Sequence, residues 1–401
     1  MSRPAPVALF CAGLNGDGVA RNTVHLANAL SRRGAAVEIV SLEAGALADQ
    51  IAPEVELALL GRPKGSRGRA LAAAVPALRR RLAAAPPSVL VSMGNHAHLA
   101  AWAALRALPG VPRLYRISND PAGCGRSAAL RTLRRATQAL IAADATAVIT
   151  VSAALAEAPP FRRVRSEGRL HVLPNGVDAE AVRRRAREPL DHPWLADGRP
   201  FVAAVGRLHP QKNYGALLEG LTLARQARPD LRLLVLGRAT GPEATRIAAR
   251  ADALGLADAV RLEGEVANPY PFLARAAAYA LPSRWEGASN SLLEALACGA
   301  PTLASRTAGN AAEVLGEGRY GVLMDPDRPD DVARAILRQA GEDRILPGDR
   351  AEAFALDRVM DRACGVVLAA RREHDGIQTF REARGHGGSL GCRLRGTSTE
   401  Y

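Results

Sequence analysis

The sequence predicts an α/β protein of two domains, each a parallel sheet wrapped by helices, with the two sheets facing across a central cleft. Three observations carry this. A short apolar run, a glycine turn and an amphipathic helix open the chain and lead into a second apolar run, the rhythm of a parallel βαβ sheet. The rhythm lapses over Pro174–Pro200, a stretch rich in Pro, Asp and Arg, and restarts at Phe201. The length, 401 residues, has room for two domains of ordinary size. Two βα-repeating halves of similar length suggest Rossmann-like domains, whose ligands sit beyond the carboxyl ends of the strands. The expected division is 1–180, then 181–370, with 371–401 a flexible Gly-, Arg- and Ser-rich tail.

The elements follow in order. Val7–Phe10 reads as a strand, and the loop Cys11 to Gly18 leads into a helix from about Val19 to Arg33. Val24, Leu26, Ala27 and Leu30 form its apolar side, and Gly34 stops it. Ala36–Leu42, Val89–Met93, Leu114–Ile117, Ala147–Val151 and Leu170–Leu173 read as further buried strands. After the break come Phe201–Val205, Leu231–Leu236, Val260–Leu262, Ala278–Leu281 and Thr302–Ala304, the first two each followed by glycine. A last helix is expected over about Ala351–Ala370. Leu71, Val75, Leu78 and Leu82 also keep helical spacing, but Pro76 should interrupt any long helix there.

Composition narrows the class. Hydrophobic residues are 48% and charged residues 23%, the balance of a folded globular chain rather than a disordered one. No apolar run reaches membrane-spanning length. Met1–Phe10 lacks the pattern of a signal peptide. Five scattered cysteines form neither a disulfide framework nor a zinc site, so a reduced cytoplasm is expected. The net charge is +13, and all of it falls between Leu57 and Ala143, where fourteen bases face the single acid Asp120.

Three segments carry chemistry. The loop Gly13 to Gly18 can bring backbone N–H groups and a helix N-terminus to an anion, and a tight turn that simply needs glycine reads equally well. In Val205-Gly206-Arg207-Leu-His-Pro-Gln-Lys212-Asn213 two cations follow a strand end, where they suit a diphosphate. Lys212 is one of only two lysines in the chain. In Ser283–Pro301, Gly287 breaks the backbone and Ser289 or Asn290 caps a helix that stops at Gly299. Glu286 then lies in the loop and Glu294 in the second helical turn, where carboxylates can accept from sugar hydroxyls.

These motifs, together with His171-Val-Leu-Pro-Asn-Gly-Val-Asp178 and Glu294-Ala-Leu-Ala-Cys-Gly-Ala-Pro301, resemble the retaining GT-B glycosyltransferases of family 4 over about residues 5 to 370. The resemblance implies a GT-B fold and a nucleotide-sugar donor held mainly by the second domain. It implies that Arg207 and Lys212 bind the diphosphate and that Glu294 takes the ribose hydroxyls. Glu286 and the backbone from Ala288 through Ser289 and Asn290 to Ser291 would hold the transferred sugar and phosphate. Val266 would read the base, and Gly16, Asp17 and Gly18 would close over the phosphates beside Gly206. The last helix would cross back to the first domain. Ala288-Ser289 stands where relatives often have a bulky apolar residue and Pro, which leaves the sugar open.

In that picture no metal or other cofactor is needed. No Asp-x-Asp motif is present, and fixed cations and helix N-termini stabilise the leaving diphosphate. The partners expected are a nucleotide sugar, with UDP-sugars favoured over GDP-mannose, and a glycan or lipid-linked acceptor of cell-envelope biosynthesis. On the acceptor side His96, Arg116 and Asn119 follow strand ends, as does His98, with local hydrogen bonding an equal reading for the histidines. Leu130, Leu133, Thr137, Leu140 and Ile141 form one side of a cationic helix. Either such stripes face the core, or the first domain, with its acid-free stretch from Leu57 to Asn119, docks on an anionic membrane at the cytoplasmic side or on an anionic acceptor. Rival readings are an epimerase or phosphorylase on the same scaffold, an inactive scaffold protein, and a nucleic-acid binder. Scarce aromatics and the unexplained glutamate motif count against the last.

Overall fold

The computed structural model describes residues 4–119, 128–239 and 241–385, with side chains through Arg372. The first sheet has seven strands: β1 (Val7–Cys11), β2 (Val37–Ser41), β3 (Val55–Leu59), β4 (Val89–Met93), β5 (Arg113–Ile117), β6 (Ala147–Thr150) and β7 (Leu170–Val172). The second has six: β8 (Phe201–Val205), β9 (Arg232–Leu236), β10 (Val260–Gly264), β11 (Ala278–Leu281), β12 (Thr302–Ser305) and β13 (Val322–Met324). Every pairing is parallel. The orders are β3-β2-β1-β4-β5-β6-β7 and β10-β9-β8-β11-β12-β13.

The orders decide where a ligand can sit. Strand order reverses between β1 and β4 in one sheet and between β8 and β11 in the other. Crevices in such sheets open beyond the carboxyl ends at that reversal. The loops there are the Gly13–Gly18, Gly94–His96, Gly206–Lys212 and Ser283–Ser289 segments, the same stretches that carry the motifs. The central strands read as unbroken apolar runs because helices cover both faces: every residue of β1 and of β9 is buried.

Four expectations change. β3 and β13 are edge strands missing from the sequence reading; β3 is half exposed and β13 has three residues, so neither shows the apolar run of a central strand. The helix Arg67–Ala84 runs through Pro76. Buried Ala70, Leu71, Ala74, Leu78 and Leu82 seat it on the sheet and outweigh the lost backbone bond. Pro174–Pro200 contains the helix Ala179–Ala186, capped by Asp178, with Ala179, Val182 and Ala186 in the second core. Its three apolar contacts are diluted among arginines and left no visible periodicity.

The last helix is Leu356–Gly385, so it covers 371–385 of the segment expected to be a flexible tail; residues 386–401 lie outside the described residues. It does cross back. Ala351 and Phe354 pack in the second core, whereas Val359, Met360, Ala363, Cys364, Val367 and Ala370 pack in the core of the first sheet. The crossing is pinned where Val177 N donates to Phe354 O at 2.9 Å and Leu356 N to Val177 O at 3.0 Å. A side chain at Gly176 would meet Leu356 Cα at 2.8 Å, so glycine lets the two chain segments touch.

Candidate active site

Between the two sheets lies a cleft of about 1160 Å³. Every residue singled out above as donor- or acceptor-side lines it, from Gly16 in the first domain to Glu294 in the second. His98 does not. It is buried beneath the wall, its Nδ1 2.8 Å from Ser92 Oγ and its ring edge-on to Tyr115, and burial pushes its pKa down to about 3. It is a neutral core histidine, while His96 two residues earlier faces the cleft.

The second-domain wall is built from two loops tied to each other. Gln211 Nε2 donates to Trp285 O at 2.9 Å and Arg284 N donates to Gln211 O at 2.9 Å. His209 caps the turn Pro210–Lys212, and Asn213 takes a left-handed φ of 52° to start the next helix. The result places Lys212 Nζ 2.7 Å from Glu286 Oε1, which also accepts from Ser283 Oγ at 2.9 Å. Neighbouring loops lie backbone to backbone: a side chain at Gly237 would collide with Gly206 O at 1.9 Å. Arg207 stands exposed at the mouth, with no carboxylate partner among the described residues.

The helix Asn290–Ala297 points its N-terminus into the cleft, with Ser289 as N-cap. Ser291 Oγ is held by Tyr279 OH at 2.8 Å and Ser289 Oγ at 3.1 Å. The helix Gly18–Arg32 arrives from the other side, capped by Asp17, whose Oδ1 accepts from Ala20 N at 2.9 Å. A Cβ on Gly18 would come within 3.1 Å of Asn290 Nδ2, so two helix N-termini converge on one place. Such ends attract anions through free N–H groups and the helix dipole.

Cross-domain contacts supply residues that sequence reasoning missed. Glu294, 8% exposed, accepts from Arg21 Nη1 of the first domain at 2.8 Å and from Tyr270 OH at 3.3 Å. Burial and the nearby Glu294 carboxylate push the Tyr270 phenol up to about 12. Asn175 is the central bridge. Its Oδ1 accepts from Arg116 Nη2 at 2.7 Å and Asn22 Nδ2 at 3.4 Å, and its Nδ2 donates to Asn290 Oδ1 at 2.6 Å and Ala288 O at 3.1 Å. A Cβ on Gly287 would sit 2.1 Å from Ser118 O, so this loop presses directly on the end of β5. Asn175 stood inside the His171–Asp178 motif without a role. Arg21 and Asn22 had only their place one turn past Asp17 as a signal.

Both halves match known family models. Residues 17–176 match the glycosyl transferase 4-like domain, and residues 187–352 match glycosyl transferases group 1. The chain belongs to the family 4 GT-B glycosyltransferases. Among its relatives, an N-acetylgalactosamine-N,N'-diacetylbacillosaminyl-diphospho-undecaprenol 4-alpha-N-acetylgalactosaminyltransferase of Campylobacter jejuni is 27% identical, over 49% of this chain and 51% of the relative. A GDP-mannose-dependent alpha-(1-6)-phosphatidylinositol monomannoside mannosyltransferase of Mycolicibacterium smegmatis is 31% identical, over 51% and 57%. The chain thus spans about half the length of these curated relatives. Solved GT-B structures match nearly end to end. A sucrose-phosphate synthase from Thermosynechococcus elongatus has TM-score 0.68 at 20% identity, covering 95% of this chain and 100% of that one. Anabaena Alr3699/HepE, solved in complex with UDP, has TM-score 0.68 at 16% identity, covering 91% and 100%.

Proposed function

We propose that this glycosyltransferase moves a sugar from a nucleoside-diphosphate sugar to an acceptor hydroxyl with retention, and needs no metal. The observation that carries the reading is the convergence on one cleft of Arg207, the Lys212–Glu286 pair, buried Glu294 and two helix N-termini. As the glycosidic bond to the leaving diphosphate breaks, negative charge grows on the phosphate. Arg207, Lys212 and the N–H groups around Ala288–Ser291 are preorganised to meet it. The leaving phosphate then takes the acceptor proton, so Glu286 orients Lys212 and the sugar rather than acting as nucleophile. Glu294 exchanges its Arg21 partner for ribose hydroxyls. Val266, on the loop after β10, contacts the base.

UDP-sugars are the favoured donors, with GDP-mannose the alternative, and the relatives' names support both a lipid-linked acceptor and a GDP-mannose donor. The test is a screen of UDP-, GDP- and ADP-sugars that reads released nucleotide. No turnover with any donor, or turnover only with added metal, would overturn the reading.

The first domain supports a place of action at a membrane surface. No helix among the described residues is long and apolar enough to cross a membrane. The helix Ala128–Asp144 nevertheless leaves Leu133 63% exposed and Leu130 and Leu140 about 40% exposed, beside Arg131, Arg134 and Arg135. An apolar row flanked by cations fits the inner, anionic face of a membrane where a lipid-linked acceptor resides.

A further inference from the structure

Two arginines are buried among the described residues, Arg232 and Arg116, and only the first meets a carboxylate there. Arg232, 2% exposed, is held by both oxygens of Asp197 at 2.6 and 2.7 Å. Arg113 pairs with Asp144. Arg116 is 7% exposed at the end of β5 and has no carboxylate partner among the described residues. Among the described residues its side chain makes one hydrogen bond, to Asn175, which leaves four of the five guanidinium N–H groups without an acceptor there. Burial pulls its pKa down to about 10, as expected of a cation stripped of water with no anion in return. It lines the cleft.

The surrounding wall adds a second cation, Arg67, within electrostatic reach of Glu43. Asn95 binds Ser118 N at 2.9 Å and Asn119 O at 2.7 Å, so the His96 loop and the end of β5 form one surface. Burial first, and then Arg67, lowers the pKa of His96. Arg67 opens the helix Arg67–Ala84, whose first turn holds no acid, and it too lines the cleft. The donor diphosphate already has its cations on the opposite wall, in Arg207 and Lys212. A guanidinium fork with free N–H groups matches a phosphate, and a wall with a second cation matches a dianion.

We propose that the acceptor of this enzyme carries a phosphoryl group and that Arg116 binds it. The proposal rests on the donor reading above, because the donor site must already account for the nucleotide diphosphate. Phosphate then fixes the acceptor, and the hydroxyl to be glycosylated lies on the part that reaches the donor sugar.

The test uses the full chain with UDP or GDP at saturation and inorganic phosphate as probe, read as a saturable rise in Tm against chloride at equal ionic strength. The wild type should take phosphate in addition to the nucleotide. Arg116→Gln, which can keep the bond to Asn175, should weaken phosphate at least 10-fold while nucleotide affinity stays within 2-fold. Arg116→Lys should restore part of the loss, and Lys212→Ala should show the reverse pattern. Phosphate affinity unchanged in Arg116→Gln overturns the proposal. So does nucleotide affinity falling in Arg116→Gln as it does in Lys212→Ala, which would assign Arg116 to the donor. If Arg116→Gln does not fold, the wild type decides: phosphate that competes with the nucleotide one for one overturns the proposal. A wild type that binds neither nucleotide overturns the donor reading itself.

Discussion

The two walls of the cleft handle charge in opposite ways. On the second-domain wall the ionic groups arrive mostly in pairs: Lys212 is held by Glu286, and Glu294 is held by Arg21 reaching across. On the first-domain wall Glu43 is held by Arg62, but Arg116 is buried with Asn175 as its one hydrogen-bond partner among the described residues, and Arg67 faces the cleft with no ion pair there, within electrostatic reach of Glu43. A paired group is held in place and released to a ligand by exchange. An unpaired buried cation is already short of an anion. The first kind of wall suits a substrate with hydroxyls and a diphosphate to be positioned; the second suits a ligand that brings negative charge with it.

The largest effect should come from the pair at the centre of the donor wall. Lys212→Ala removes a cation from the leaving group and strands Glu286, and should cost on the order of 10²–10³ in kcat by nucleotide release, with the fold intact by circular dichroism. Near-normal turnover would remove the donor wall from the comparison. Glu294→Ala should raise donor KM by roughly tenfold or more with a smaller change in kcat, since it loses hydrogen bonds to bound substrate worth about 1.5–3 kcal/mol. Arg21→Ala, which frees the carboxylate, should change donor KM less than Glu294→Ala does.

Two smaller effects concern the seam and the first wall. Gly287→Ala puts a methyl 2.1 Å from Ser118 O and should destabilise by about 1–3 kcal/mol, seen as a drop of several degrees in Tm. An unchanged Tm would mean the walls are not pressed together in solution. His98 has its folded pKa lowered from 6.5 to about 3, so below pH 6.5 the unfolded chain takes up a proton that the folded chain refuses. Stability should therefore fall as pH drops from 6.5 towards 3, and His98→Gln should show a shallower fall. Parallel acid profiles would contradict a neutral core histidine. The slightest effect is expected at the surface, where Leu133→Gln should reduce co-sedimentation with anionic vesicles and leave binding to neutral vesicles unchanged.

The charge block shows how sequence and structure divide the information. Along the chain the excess is confined to Leu57–Ala143. In space, acids from outside that stretch enter it: Glu43 pairs with Arg62, Glu38 and Glu56 with Arg81, and Asp144 with Arg113. Arg81 is thus part of the fold, whereas Arg131 and Arg135 stand exposed on the Ala128–Asp144 helix. The leucines of that helix were readable as a stripe, but its exposure was not, since periodicity alone does not say which side is covered.

The sequence by itself determined what is local. Strand periodicity, glycine turns, the cap at Ser289 or Asn290 and the Lys212 and Glu286 motifs act over a few residues, and they located both sheets except their edge strands β3 and β13, and much of the lining of the cleft. Only the tertiary structure decided which groups meet. Lys212 finds Glu286 74 residues away, Arg21 finds Glu294 across the cleft, and Asn175 joins the two domains. Such pairs leave no trace in spacing, because their contacts depend on how two sheets and a returning helix are packed. The same packing left Arg116 as a buried cation with no carboxylate partner among the described residues.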